Sequence, residues 1–154
     1  MERILLTHSK AETKALGQRI ASFLKPGDVL LLTGDLGAGK TTLTSGIGEG
    51  LNVNEEVLSP TFNILKCYFH GRIPFYHIDA YRLEGQNIEI GLDEVIEGDG
   101  VCVIEWPQFI EPLIPDEHLE IEITNLGEND RRFRFFSECG DYEWVNSLPE
   151  KEDC

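Results

Sequence analysis

The nine residues Gly34-Asp35-Leu36-Gly37-Ala38-Gly39-Lys40-Thr41-Thr42 follow the aliphatic run Val29-Leu30-Leu31-Leu32 with only Thr33 between. They satisfy G-x-x-x-x-G-K-[ST] in full and in the order strand, loop, helix that gives the pattern its meaning. Small residues let successive backbone amides turn inward around a phosphate, and the helix that follows points its positive end at the same anion. On this reading Lys40 bridges the outer phosphates of a nucleoside triphosphate and Thr41 offers its hydroxyl to a magnesium ion. Hydrolysis further requires an acidic residue near the metal and a means of placing water. Two strand-end carboxylates compete for these tasks: Glu105, after Val101-Cys102-Val103-Ile104, and Asp79, after the more polar Phe75-Tyr76-His77-Ile78. Spacing gives no ranking beyond strand quality.

The elements that must hold these residues are legible from periodicity. Ile4 to Thr7 reads as a short strand, and Ser9-Lys10-Ala11-Glu12 as a capping box in which the serine hydroxyl accepts from a helix amide and Glu12 reaches back. Leu16, Ile20, Phe23 and Leu24 then repeat at helical spacing up to Pro26-Gly27. Asp28 to Thr33 is continuously aliphatic, the pattern of a strand buried on both faces. A helix is expected from Lys40 to about Leu51, although Gly46, Gly48 and Gly50 argue against it at up to ~1 kcal/mol each relative to alanine. Phe62 to Phe69 and Ile73 to Tyr81 read as two strands of a hairpin around His70-Gly71-Arg72. A short helix is expected around Ile88 to Val95, then the buried strand Val101 to Glu105. His118 to Thr124 alternates like an outer strand, turns through Asn125 to Asp130 and returns as Arg131 to Ser137. The charged tail from Glu150 to Cys154 is expected to fray. Together these predict an α/β fold, P-loop-like, with a mostly parallel central sheet flanked by helices and antiparallel hairpin additions. One domain is expected over residues 1–154.

Charge and composition exclude several functions. With 28 acidic against 13 basic residues and a formal charge of -15, the chain repels a nucleic acid backbone, so any contact with RNA is expected to run through a partner. No aliphatic run approaches the roughly 20 residues needed to cross a bilayer, and MERILLTHSK lacks an export h-region. Cys67, Cys102, Cys139 and Cys154 form no C-x-x-C pair, which fits reduced thiols in a cytoplasmic protein, Cys102 acting as a small buried hydrophobe. His8, His70, His77 and His118 form no nucleophile or metal pattern and are assigned structural roles.

Four motifs in series, GDLGAGKTT, Ser59-Pro60-Thr61-Phe62, His77-Ile78-Asp79-Ala80-Tyr81-Arg82-Leu83 and Val103-Ile104-Glu105-Trp106-Pro107, resemble the TsaE (YjeE) family. These are small P-loop ATPases of tRNA threonylcarbamoyladenosine (t6A) biosynthesis. The resemblance runs from the Ser9 helix to the Arg131 strand, and the four motifs together are far more specific than the phosphate loop alone. It implies ATP and Mg2+ as ligands, with Lys40 and the amides of Leu36 to Thr42 on the phosphates, Thr41 on magnesium and Thr42 supporting the loop. It implies a switch-like role for Thr61 toward the outer phosphate, Glu105 toward magnesium, and Asp79 on the attacking water or the metal. It places Trp106 beside the site and, more weakly, Lys10, Thr13 and Arg131 near the nucleotide. It also implies TsaD-like and TsaB-like proteins as partners in modifying adenosine 37 of tRNAs that decode ANN codons, with hydrolysis resetting the assembly and tRNA met only indirectly.

Two other readings share the loop. A small-molecule P-loop kinase would need a mobile, arginine-bearing lid, for which Arg72 and Arg82 are too few. A nucleotide-gated interaction protein would need only that bound nucleotide change its affinity for a partner. A GTPase fails for want of an N-K-x-D signature.

Overall fold

Why a helix that holds Gly46 and Gly50 is firm is answered by what those two residues touch. A computed structural model describes residues 1–34, 39–53, 64–83, 91–140 and 142–148. Helix α1 spans Lys10–Ala21 and helix α2 Lys40–Gly50, and the two lie backbone against backbone. A Cβ on Gly46 would stand 2.2 Å from the Lys14 carbonyl oxygen, one on Gly17 would stand 2.4 Å from the Leu43 carbonyl oxygen, and one on Gly50 would stand 2.5 Å from the Ala21 Cβ. The glycines therefore trade helix propensity for an approach that no side chain would permit.

Seven strands form one sheet in the order β1-β7-β6-β2-β5-β4-β3. They are β1 Glu2–Thr7, β2 Val29–Thr33, β3 Leu65–Tyr68, β4 Phe75–Asp79, β5 Val101–Glu105, β6 Leu119–Asn125 and β7 Arg131–Phe136. The central four, β6, β2, β5 and β4, run parallel, and β1, β7 and β3 add antiparallel edges. The α/β class with a mostly parallel centre is thus as the patterning predicted.

One core lies between the sheet and the α1–α2 pair. It takes Leu30 and Leu32 from β2, Val101 and Val103 from β5, and Ile20, Leu43 and Ile47 from the helices. A second, smaller core lies on the opposite face, where Leu31, Ile78, Cys102 and Ile104 meet helix α3, Leu92–Ile96, and the 3-10 turns Tyr81–Leu83 and Pro107–Leu113. Strands β2 and β5 are covered on both faces, which is why their aliphatics are unbroken.

Several boundaries differ from the sequence expectation. Strand β6 is not outer: it pairs with β2 on one side and β7 on the other. Its alternation has another cause, since the second core stops at β2 and leaves Glu120 and Glu122 of β6, with Arg132 and Arg134 of β7, facing outward. The helix expected over Ile88 to Val95 appears as Leu92–Ile96, behind Gly91 at φ 80; the earlier part of that prediction falls outside the described residues. Helix α1 stops at Ala21, where the Ser22 hydroxyl donates to the Arg19 carbonyl, several residues ahead of Pro26. The expected hairpin of β3 and β4 is present over Leu65–Tyr68 and Phe75–Asp79, while Tyr81 opens a 3-10 turn rather than ending the strand. At the start of α1 the Ser9 hydroxyl accepts from Glu12 N–H at 3.1 Å, but the Glu12 carboxylate accepts from His8 N–H at 3.3 Å, one residue beyond the usual capping-box partner. Asp35, Leu36, Gly37, Ala38, the Ser59-Pro60-Thr61-Phe62 motif and the charged tail lie outside the described residues. Among the described residues no helix is long and apolar enough to cross a membrane.

Two outcomes test this packing. Gly46→Ala should lower the unfolding free energy from urea titrations by about 1–3 kcal/mol through overpacking, whereas helix propensity alone would raise it by ~1 kcal/mol. Cys102 is fully buried on β5, and burial pushes its thiol up from 9.0 to about 12. Because the unfolded thiol ionises first, this contribution is complete below pH 9 and fades as pH climbs toward 12. Between pH 7 and pH 10 wild type should therefore lose about 1 kcal/mol more than Cys102→Ala in denaturant titrations.

Candidate functional site

The parallel strands β2, β4, β5 and β6 present their C-terminal ends along one edge of the sheet, the edge at which open α/β sheets bind ligands. A cleft of about 300 Å³ opens there. It draws Ser9, Lys10 and Thr13 from α1, Gly39 to Thr42 from the start of α2, and Asp79, Glu105 and Trp106 from the ends of β4 and β5. The β6–β7 turn adds Glu128, Asn129 and Arg131.

Each side chain is placed by a local cause. Gly34 at φ 144 and Gly39 at φ 107 both occupy backbone conformations that favour glycine, so the chain can leave β2 and re-enter a helix within a few residues. Helix α2 opens at Gly39 without a side-chain cap, leaving its first amides facing the cleft. Lys40 is buried; its ammonium donates to the Gly34 carbonyl at 2.7 Å and sits 4.2 Å from the centre of the Trp106 ring. The Lys40 carbonyl accepts from the Thr44 hydroxyl one turn on, at 2.8 Å. Thr41 is exposed at the cleft and Thr42 half-buried.

Trp106 adopts φ 57 and ψ 51, a left-handed conformation that an indole side chain rarely takes. That turn swings its ring across the cleft, where it stacks with Phe109 at 6.2 Å and meets Tyr81 edge-on at 5.0 Å. Backbone strain of this kind persists where the surroundings over-determine it, here by two neighbouring aromatic rings and an ammonium.

The two carboxylates that the sequence left unranked are brought side by side, for Asp79 and Glu105 are register partners across β4 and β5. Their environments differ. Asp79 is half-buried and accepts from the Tyr81 N–H at 3.1 Å. Glu105 is buried and its Oε2 lies 2.5 Å from His77 Nε2. Like charges directly opposite on a sheet repel, so this pair is well suited to a shared cation. Among the described residues no group of three or more His, Cys, Asp or Glu side chains could hold a metal alone. A magnesium ion needs no such group, since it ordinarily takes one or two carboxylates together with substrate phosphates and water.

Lys10 is exposed at the rim, while Thr13 is buried with its hydroxyl 2.7 Å from that of Thr7. Arg131 lies against Gly39, and its guanidinium donates to Asn125 Oδ1, the Gly127 carbonyl and the Asp130 carbonyl at 3.2, 3.0 and 2.9 Å. The chain as a whole is strongly acidic, yet the cleft carries Lys10, Lys40 and Arg131 against Asp79, Glu105 and Glu128, a local neutrality that repels an anion less than the exterior does.

The structure thus gathers Gly39, Lys40, Thr41, Thr42, Asp79, Glu105, Trp106, Lys10, Thr13 and Arg131 in one place, with Gly34 bonded to Lys40 behind them. Sequence reasoning missed Ser9, Glu128 and Asn129, and read His77 as structural only. A turn gives no sign of what it faces, because the placement of β6 beside β2 brings Glu128 and Asn129 to the cleft. For His77 a signal was present: it precedes Asp79 by two residues and so shares its face of the strand.

The Trp106 ring and the Lys40 ammonium should be energetically coupled. A double-mutant cycle with Trp106→Leu and Lys40→Met, measured by urea unfolding, is expected to give about 0.5–2 kcal/mol; additive effects would mean that the ring only fills space.

Comparison with known proteins gives consistent matches. The family model for TsaE, threonylcarbamoyl adenosine biosynthesis protein, matches residues 7–133. A tRNA threonylcarbamoyladenosine biosynthesis protein TsaE of Bacillus subtilis is 48% identical over 139 residues, covering 90% of this chain and 88% of its own length. The protein of the same name from Nostoc is 41% identical over 137 residues, with 86% and 83% covered. A crystal structure of Bacillus subtilis YdiB superposes with a TM-score of 0.83 at 42% identity, covering 96% of this chain and 93% of that one.

Proposed function

The chain belongs to the TsaE family of threonylcarbamoyl adenosine biosynthesis proteins, and from that premise we propose that it binds and hydrolyses ATP with Mg2+ as a cytoplasmic subunit of the t6A-forming assembly. The observation that carries this reading is the buried Lys40 ammonium at the head of a cleft whose floor holds paired strand-end carboxylates.

The residues divide the work as follows. Lys40 exchanges its bond to the Gly34 carbonyl for the outer phosphate oxygens, its point charge offsetting theirs. The amides at the start of α2, with those of Gly34, Asp35, Leu36, Gly37, Ala38 and Gly39 before it, are assigned to the phosphates. Thr41 and Glu105 hold magnesium, with Asp79 close enough to share it or to orient the attacking water. Magnesium, when bound, supplies neutralisation of the charge spread over the transferring phosphoryl oxygens. Thr61 senses the outer phosphate and Thr42 supports the loop. Trp106 shields Lys40 from water, which strengthens each electrostatic contact inside. Lys10, Thr13 and Arg131 line the end of the cleft that receives the base or ribose.

The partners of this proposal are a TsaD-like and a TsaB-like protein, with nucleotide turnover resetting their assembly and tRNA contacted only through them. An acidic chain suits docking on protein and is ill suited to gripping RNA. The small-molecule kinase reading has less support. Arg72, one of the two arginines available for a lid, donates to the carbonyls of Ala21 and Leu24 at the far end of α1, about 18 Å of helix from Ser9 and Lys10.

The test is a reconstituted mixture of TsaD-like and TsaB-like proteins, tRNA, the threonylcarbamoyl donor and ATP, assayed for sustained t6A formation. Wild type should restore it and Lys40→Ala should not, with ATP affinity about 100-fold weaker by calorimetry. Restoration by Lys40→Ala, or unchanged affinity, would remove the proposal.

A further inference from the structure

The environment of His77 goes beyond packing. This side chain is fully buried on β4, in a strand whose other inward positions are apolar. Its register partner on β5 is Val103, so Glu105 is its diagonal neighbour, on the same sheet face and within reach of a long side chain. The bond between His77 Nε2 and Glu105 Oε2 at 2.5 Å joins two buried groups, and a carboxylate can only accept, so Nε2 carries the hydrogen. The other ring nitrogen, Nδ1, is buried and has no hydrogen-bond partner among the described residues.

We infer that His77 is a positioning residue for Glu105: it ties down one carboxylate oxygen so that the other stays available to a divalent cation in the cleft. Asp79 cannot do the same, since it bears the same charge as Glu105 and already accepts from the Tyr81 amide. The arrangement is that of a metal site whose outer partner fixes the orientation of an inner ligand, with imidazole and carboxylate exchanging their more familiar places.

This inference rests on the reading of the cleft as a magnesium–nucleotide site, and the experiment separates the two. Affinity for a nonhydrolysable ATP analogue is measured by calorimetry in Mg2+ and again in EDTA, and the ratio gives the coupling between metal and nucleotide. That ratio cancels general damage, which would weaken both affinities alike. His77→Phe keeps a buried ring and loses the donor, so its metal-free affinity should stay within about threefold of wild type while the coupling ratio falls roughly 10- to 100-fold. His77→Gln, whose amide reaches the place of Nε2, should recover the ratio to within about threefold. His77→Asn, too short to reach, should not, and this pair of amides carries the comparison should the phenylalanine variant fail to fold. In a Glu105→Gln background, His77→Phe should lower the ratio no further. A wild-type ratio in His77→Phe or His77→Asn, or a ratio for His77→Gln as low as that for His77→Asn, overturns the positioning role alone. A wild-type chain with no metal dependence at all would instead overturn the reading of the cleft and this role with it.

Discussion

The contact on which the rest of the structure depends is the meeting of two helix backbones. Phosphate-loop chemistry needs the first turn of α2 to stand at a fixed height and angle over the end of β2. The enforcement comes from α1, whose Lys14, Gly17 and Ala21 lie against Gly46, Leu43 and Gly50 of α2 with no room for an added Cβ. A contact between main chains has few alternative registers, because neither side can relax by changing rotamer. The price of three poor helix formers is thereby exchanged for a rigid platform. The N-terminal end of α1 also brings Ser9, Lys10 and Thr13 to the cleft, so one packing decision fixes both of its walls.

The floor of the cleft follows from a different constraint, the parallel register of β4 and β5. Each strand ends in a carboxylate, and the register sets these opposite each other rather than a residue apart. Two negative charges so placed are unfavourable on their own, and a sheet that tolerates them does so beside the ammonium of Lys40 and with one carboxylate tied to a buried imidazole. The strained backbone of Trp106, at the first residue beyond β5, belongs to the same group of interactions, since its left-handed turn brings the indole over Lys40. Strain, like-charge contact and a buried polar pair are all concentrated within a few residues of one strand end. Elsewhere the parallel centre of the sheet is aliphatic and locally consistent.

Electrostatics divides the molecule in the same way. The surface is strongly acidic, and the cleft is balanced by three basic residues from three separate elements, α1, α2 and β7. Two of these elements, α1 and β7, are basic in their own right against the acidity of the whole chain. A triphosphate would meet a local field that the net charge gives no hint of, while a nucleic acid would meet the surface field and be turned away. Membership of a tRNA-modifying family and an acidic exterior are reconciled if contact with RNA is left to other proteins.

What the sequence determined by itself was whatever is local in the chain. The strand, loop and helix around Lys40 are contiguous, so their composition carries their geometry, and the unbroken aliphatics of β2 and β5 announce strands covered on both faces. The serine that caps α1, the burial of Cys102 and the hairpin of β6 and β7 were legible for the same reason. Tertiary structure alone decided that β6 enters the sheet beside β2, since alternation reports that one face is wet and says nothing about which neighbours a strand acquires. It alone explained Gly46 and Gly50, whose meaning lies on another helix. It set Asp79 beside Glu105 and joined His77 to that glutamate across 28 residues of chain. Periodicity records how a segment meets water; pairing between distant segments is chosen by the closing of the whole sheet, and the chemistry of the cleft sits where those choices converge.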